Sequence, residues 1–250
     1  MPAHSKYMRK VRRRKEMKAY KGFDKDLKCR GFQYEIGKEY EEKEAKLCEK
    51  GFHACEYPLD CFDYYSPATS RFCEVEIEDT GERNKKDTKV CGKKIKIGAE
   101  LDIRGIIRAA FEYTKEQCTN SEQGGDWSAL TGGDRSALTG GDWSALTGGS
   151  WSALIGGNWS ALTGGDSSAL VGGYRSTLTG GSRSVVYGGE GAKVRAGKGS
   201  VLALQYWRDG KFSGIKFKEV DGEKIKADTW YKLDKAGRFI KAKQGEKEKG

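Results

Sequence analysis

The side chains able to do chemistry are few and unevenly placed. His53 is the one histidine beyond the basic leader, so no Ser-His-Asp set can be assembled. It sits among Cys48, Cys55 and Cys61, spaced seven and six apart in the numbering, which fits no common zinc pattern. All 7 cysteines fall in the first half, and none forms a Cys-x-x-Cys pair. Reduced, half-buried thiols are therefore expected, with no metal ligands and no cofactor. There is neither a P-loop nor a dinucleotide glycine fingerprint, because the Gly-Gly pairs lack a strand-to-helix context.

The other residues of interest are large and repeated. From Gly124 the chain reads GGDWSALT, GGDRSALT, GGDWSALT, GGSWSALI, GGNWSALT, GGDSSALV, GGYRSTLT and GGSRSVVY, then two decayed copies ending at Ala203. A short fixed period means a solenoid. Gly-Gly is expected to supply the positive φ of a tight corner, and the following residues a short strand. Leu or Val recurs at one phase from Leu130 to Leu202 and must point inward with the serines. The position after the turn accepts Trp, Arg, Ser and Gly, which no packed interior tolerates, so it points outward.

One octad cannot enclose a hydrophobic interior, but two per coil can, as parallel sheets back to back. That winding stacks Trp127, Trp143, Trp159 and Arg175 on one edge, and Arg135, Trp151, Ser167 and Arg183 on the other. Exposed tryptophans in a row mark an interaction surface, so Trp127, Trp143, Trp159, Trp151, Arg135 and Arg175 are the candidate binding residues. Other readings stay open: packing over the Gly-Gly corners, or cover from the head domain or a second copy in a homo-oligomer. The octad lacks the extra Gly and Asp of the calcium-binding nonapeptide, so no calcium is expected.

The flanks must position and cap this rod. Residues 17–118 read as a small α+β domain. Its strands run over 19–23, 31–34, 51–55, 72–77 and 90–97, with a helix from Pro58 to Tyr65 and an amphipathic helix over Asp102–Gln117 expected to cover the first coil. Residues 119–123 read as a linker, 124–203 as the octapeptide solenoid and 204–240 as a β-hairpin cap turning at Asp209-Gly210 and Asp221-Gly222. The fold class is thus an α+β domain, a parallel β-solenoid with two repeats per coil, and a β-rich cap. Residues 1–16 read as a disordered basic leader, from an upstream start relative to Met17, and 241–250 as a disordered basic tail.

The chain has 250 residues and a formal charge of +10, but the excess sits at the two ends. Residues 1–18 carry eight Lys/Arg and one Glu, residues 19–123 are net −3, and residues 188–250 are net +7. Basic residues that alternate with Gly, Gln and Glu in a tail do not build a nucleic-acid face, so nucleic acid is not the favoured partner. No apolar run approaches the roughly 18 residues of a membrane span. Met1–Ala19 has no apolar h-region, and with the free thiols this points to the cytoplasm.

The segments MKAYKGFDKDLKCRGFQYEIGKEYE, GFHACEYPLDCFDYY and VDGEKIKADTWYKL, with the Gly-Asp-x-Ser-Ala repeats, resemble an uncharacterised family carried by bacteriophages and prophages. The resemblance implies a phage-borne setting in a bacterial host and brings no activity with it; with the outward Trp and Arg row, a non-enzymatic accessory protein that binds a host defence or regulatory protein or a viral macromolecule is expected. A second resemblance is narrower. GFHACEYPLDCFDYY looks like the strand-helix motif with which ADP-ribosyltransferases hold nicotinamide. Tyr20-Lys21-Gly22 would then stand where that family uses Arg or His, and Glu74, Glu76 or Glu100 would supply its acidic residue. Lysine cannot fork onto a phosphate or ribose as arginine does.

Overall fold

The computed structural model describes residues 16–67, 69–84 and 87–243. The expected leader and tail lie almost wholly outside these, except that Glu16 opens the first strand and residues 241–243 are described.

The head is built from β1 (Glu16–Phe23), β2 (Lys28–Cys29), β3 (Phe32–Gln33), β4 (Glu39–Glu41), β5 (Phe52–Cys55), a 3-10 helix (Pro58–Asp63), β6 (Arg71–Asp79) and β7 (Lys89–Leu101). β7 is thirteen residues long and pairs with β6 on one side and with β5 and β4 on the other. β1 pairs with both β5 and β6, so the sheet closes on itself. Alternation decides which residues fill it. Ala19, Phe23, Phe52, Ala54, Val75, Ile77, Ile95 and Ile97 form its interior. The expected helix at Pro58 is shorter and tighter than an α-helix.

α1 (Ile103–Glu116) opens on Asp102, whose Oδ1 accepts the Gly105 N–H at 2.8 Å. The helix does not cap the first coil as its amphipathic pattern suggested. It lies along the broad face of the solenoid, with Ile106, Ile107 and Ala110 packed on Val185, Val201 and Ala203. The reason is local. Most of the octads show small or polar residues at the outward strand positions, whereas positions 185, 201 and 203 are Val, Val and Ala, an apolar patch the helix can cover.

The expected linker is the first strand of the solenoid. β8 (Asn120–Gln123) pairs in parallel with β10 (Ser136–Thr139). The strands then follow at eight-residue intervals: β9 (Ala129–Thr131), β10, β11 (Ala145–Thr147), β12 (Ala153–Ile155), β13 (Ala161–Thr163), β14 (Ala169–Gly172), β15 (Thr177–Thr179), β16 (Val185–Gly188), β17 (Lys193–Arg195) and β18 (Val201–Arg208). Even-numbered strands form one sheet and odd-numbered strands the other. Leu138 lies beside Leu154 and Leu146 beside Leu162, sixteen residues apart, as two octads per coil require. The inward leucines are buried from Leu138 to Leu202. Each contributes roughly 1.5–3 kcal/mol of transfer free energy.

The far end is closed by antiparallel strands. β19 (Lys211–Glu219) pairs with β18, and β20 (Tyr231–Leu233) pairs with β17 and with β21 (Phe239–Lys241). Asp209-Gly210 turns the first hairpin with both residues at positive φ. Residues 224–225 form no strand; Ile225 packs into the core beyond the Asp221-Gly222 turn.

Candidate functional site

The corners of the solenoid differ from the sequence expectation in one instructive way. Positive φ falls on the residue after the turn Asp, Ser, Asn or Tyr: Trp127, Arg135, Trp143, Trp151, Trp159, Ser167, Arg175 and Arg183 lie between 52° and 61°. Gly-Gly serves a different need, close approach. A Cβ on Gly140 would strike Ser144 of its own corner, and one on Gly141 would strike Asp126 and the backbone of Gly125 in the preceding coil. The sequence held a signal for this, because Gly191 and Gly199, in the decayed copies, stand at the tryptophan phase with φ of 71° and 75°.

This left-handed corner throws a large side chain outward and lets its backbone stay bonded. Trp127 N–H donates to Asp142 O and Trp143 N–H to Asn158 O, each at 2.8 Å. Alongside runs a ladder of turn residues. Asp126 Oδ1 accepts from Asp142 N–H at 2.8 Å, Asp142 Oδ1 from Asn158 N–H at 2.7 Å, and Asn158 Oδ1 from Tyr174 N–H at 2.8 Å. The corners are therefore locked at one strand spacing.

On the first edge the indoles stack. Ring centroids of Trp127 and Trp143, and of Trp143 and Trp159, are 5.1 Å apart, with interplanar angles of 3° and 2°. Arg175 places its guanidinium 5.0 Å from the Trp159 ring, and Tyr174 meets that ring edge-on at 5.6 Å. Trp127, Trp143 and Trp159 are 73%, 47% and 39% exposed. The column thus offers indole edges along its length and one uncovered ring face, that of Trp127. It contains no nucleophile or general base; what it can do is desolvate against a partner.

The second edge is different. Trp151 is half-buried with its ring 5.6 Å from Tyr57, which in turn lies 5.5 Å from Tyr113 of α1. Tyr57 hydroxyl donates to Arg183 O at 3.4 Å. Head and solenoid are joined here, so Trp151 is a packing residue and not part of the open ladder. Arg135, on the same edge, is exposed.

A second candidate is a cleft of about 460 Å³ in the head. Tyr20-Lys21-Gly22, His53, Cys29, Tyr64 and Tyr65 all line it. Lys21 shares strand parity with Ala19 and Phe23, so it points inward and is only 6% exposed. Its Nζ donates to His53 O at 2.9 Å. Burial, then the Lys21 charge, lowers the His53 pKa from 6.5, while a backbone hydrogen bond with Lys46 opposes this. His53 Nε2 accepts the Cys48 N–H at 2.8 Å, so the neutral ring pins the 46–50 loop. Burial raises the Cys73 thiol to about 11. Among the described residues no three His, Cys, Asp or Glu side chains are grouped to hold a metal ion.

The three glutamates of the transferase reading lie elsewhere. Glu74 pairs with Lys18 at 2.9 Å, Glu76 with Lys96 at 3.4 Å and Glu100 with Arg71 at 2.6 Å. The carboxylate lining the cleft is Glu42.

Residues 17–109 match the model of a domain of unknown function, DUF7666. That span covers the closed sheet and the first half of α1, and it leaves the repeats and the cap outside. No curated protein sequence and no solved structure matches the chain. No helix among the described residues is long and apolar enough to cross a membrane.

Proposed function

We propose that the protein is a non-enzymatic phage or prophage accessory protein that acts by binding a macromolecule in the host cytoplasm, a host protein or a viral one. The observation that carries this reading is the column of Trp127, Trp143 and Trp159. Three indoles are held rigidly outward at residues whose left-handed backbone costs of the order of 1–3 kcal/mol each. Their edges are exposed on a scaffold whose interior is filled by the inward leucines and serines. Large aromatics on a rigid support lose little entropy on binding and dominate protein interfaces. The motifs shared with the phage-borne family supply the setting.

The test uses the full chain immobilised in lysate of the bacterial host, beside Trp143→Arg/Trp159→Arg. Arginine already occupies this phase at Arg135, Arg175 and Arg183, so the variant is expected to keep the fold, which its circular dichroism checks. The expected result is a protein captured by the native chain and lost from the variant, then rebuilt as a complex from purified components. Equal capture by both forms contradicts the reading.

A second reading, an ADP-ribosyltransferase-like head with the solenoid as recognition arm, draws on the cleft that gathers Tyr20, Lys21, His53 and Tyr65. Calorimetry with NAD tests it. Binding at millimolar NAD that Lys21→Met abolishes supports it, and no heat removes it.

A further inference from the structure

The two ends of the solenoid are finished differently. At the C-terminal end β18 is covered by β19 and β17 by β20, both antiparallel, so no further parallel coil can add. At the other end β8 and β9 are the outermost strands of their sheets, and among the described residues nothing pairs with their outer sides. Unpaired edges of this kind invite another strand.

Four observations say what is missing there. The first is backbone. Ala145 N–H donates to Ser128 O, and Thr147 O accepts from Gly132 N–H, each at 2.8 Å. One coil earlier the equivalent groups, Ala129 N–H and Thr131 C=O, face the open side. The second is a serine. Inward serines reach back one coil: Ser152 Oγ donates to Gly133 O at 3.3 Å, Ser168 Oγ to Gly149 O at 3.1 Å and Ser184 Oγ to Gly165 O at 3.2 Å. Ser152 Oγ also accepts from Ser136 N–H at 3.3 Å. Ser128 heads its column, and its Oγ is buried with no partner. It is equipped for a backbone one strand spacing further out. The third is Leu130, which is only partly buried where Leu138 to Leu178 are fully buried. The fourth is the uncovered ring face of Trp127.

We infer that this end is a two-fold self-association surface, on which β9 of one copy pairs antiparallel with β8 of a second. The geometry allows it. The two strands of a coil run in opposite directions. A two-fold axis along the long dimension of the coil exchanges the sheets and keeps the Gly124–Ser128 corner over its own copy. Each edge then meets an antiparallel strand, the two Trp127 rings continue the indole column, and the two Leu130 side chains close the core. One second copy supplies a strand for both edges, an aromatic ring and an apolar side chain together. The contact is isologous and the far ends are capped, so assembly stops at two chains and makes no fibre.

Sedimentation of the purified full chain over a wide concentration range tests this apart from any host partner. The expected result is a reversible dimer. Trp127→Arg places two guanidinium groups at the axis and uses a residue the repeat itself accepts at this phase. Thr131→Pro removes an N–H that shares the outward side with Ala129 and sits on an edge, where proline is tolerated. Each is expected to weaken dimerisation at least tenfold, with the circular dichroism of the native chain retained. A native chain that stays monomeric overturns the inference. So does a dimer that survives either folded variant at native strength.

Discussion

Trp143 and Trp151 stand at the same phase of consecutive octads, each followed by Ser-Ala-Leu and each with the same left-handed φ of 59°. One is stacked between two indoles on an open edge; the other is tucked against Tyr57. The octad therefore specifies the coil, its corner and the outward direction of the side chain. It does not specify what that side chain meets. That is decided by the non-repeating head, which packs across one edge and leaves the other bare.

Swapping the two edges is expected to have the largest effect. Deleting one octad, residues 140–147, moves every downstream side chain to the opposite edge and carries Val185 and Val201 away from α1. Loss of cooperative folding by circular dichroism is expected. Deleting two octads, residues 132–147, removes a whole coil, restores the alternation and should leave a cooperative transition. Equal tolerance of both deletions contradicts two octads per coil.

Truncation separates the two edges more gently. Trp151→Ala should cost roughly 3 kcal/mol or more in denaturant unfolding, as for other packed tryptophans. Trp143→Ala forfeits stacking of about 0.5–1.5 kcal/mol for each of its two aromatic pairs and should cost less than Trp151→Ala. A smaller contrast lies in the glycines. Gly141→Ala drives a methyl group into Asp126 and the backbone of Gly125 and should cost about 1–3 kcal/mol as overpacking. Gly125→Ala meets nothing within 4 Å and should be neutral in the monomer.

The smallest effect belongs to the head. His53 is held neutral, with its pKa lowered from 6.5. Between its folded pKa and 6.5 the unfolded chain binds more protons, so stability rises with pH through that window and is lost as pH falls through it. A melting series from neutral pH downward should show this slope, and His53→Gln should flatten it.

The solenoid was legible because its signals repeat. Leucine at one phase fixes the inside, and the tolerance for Trp, Arg and Gly at another fixes the outside. The corner was misread through one assumption, that glycine takes the positive φ; here contacts one coil away demand glycine, while the residue after the turn bends the backbone. Residues 119–123 read as a linker because Asn120–Gln123 carries no leucine, yet its backbone pairs with β10. The placement of α1 and the burial of Trp151 rest on Tyr57, Tyr113 and the apolar patch at Val185 and Val201. These contacts span more than fifty residues of sequence and leave no local periodicity to read. The cleft was half visible: its motifs were in view, but the distance between them and Glu74, Glu76 and Glu100 was not.

The central claim is that the column of indoles faces a partner and does not hold the fold together. Equilibrium unfolding of Trp127→Ala/Trp143→Ala, measured beside Trp151→Ala, tests it most directly. The single substitution at the packed edge should cost more stability than the double substitution at the open edge. A double variant that loses more than Trp151→Ala contradicts the account, because the column would then be part of the core.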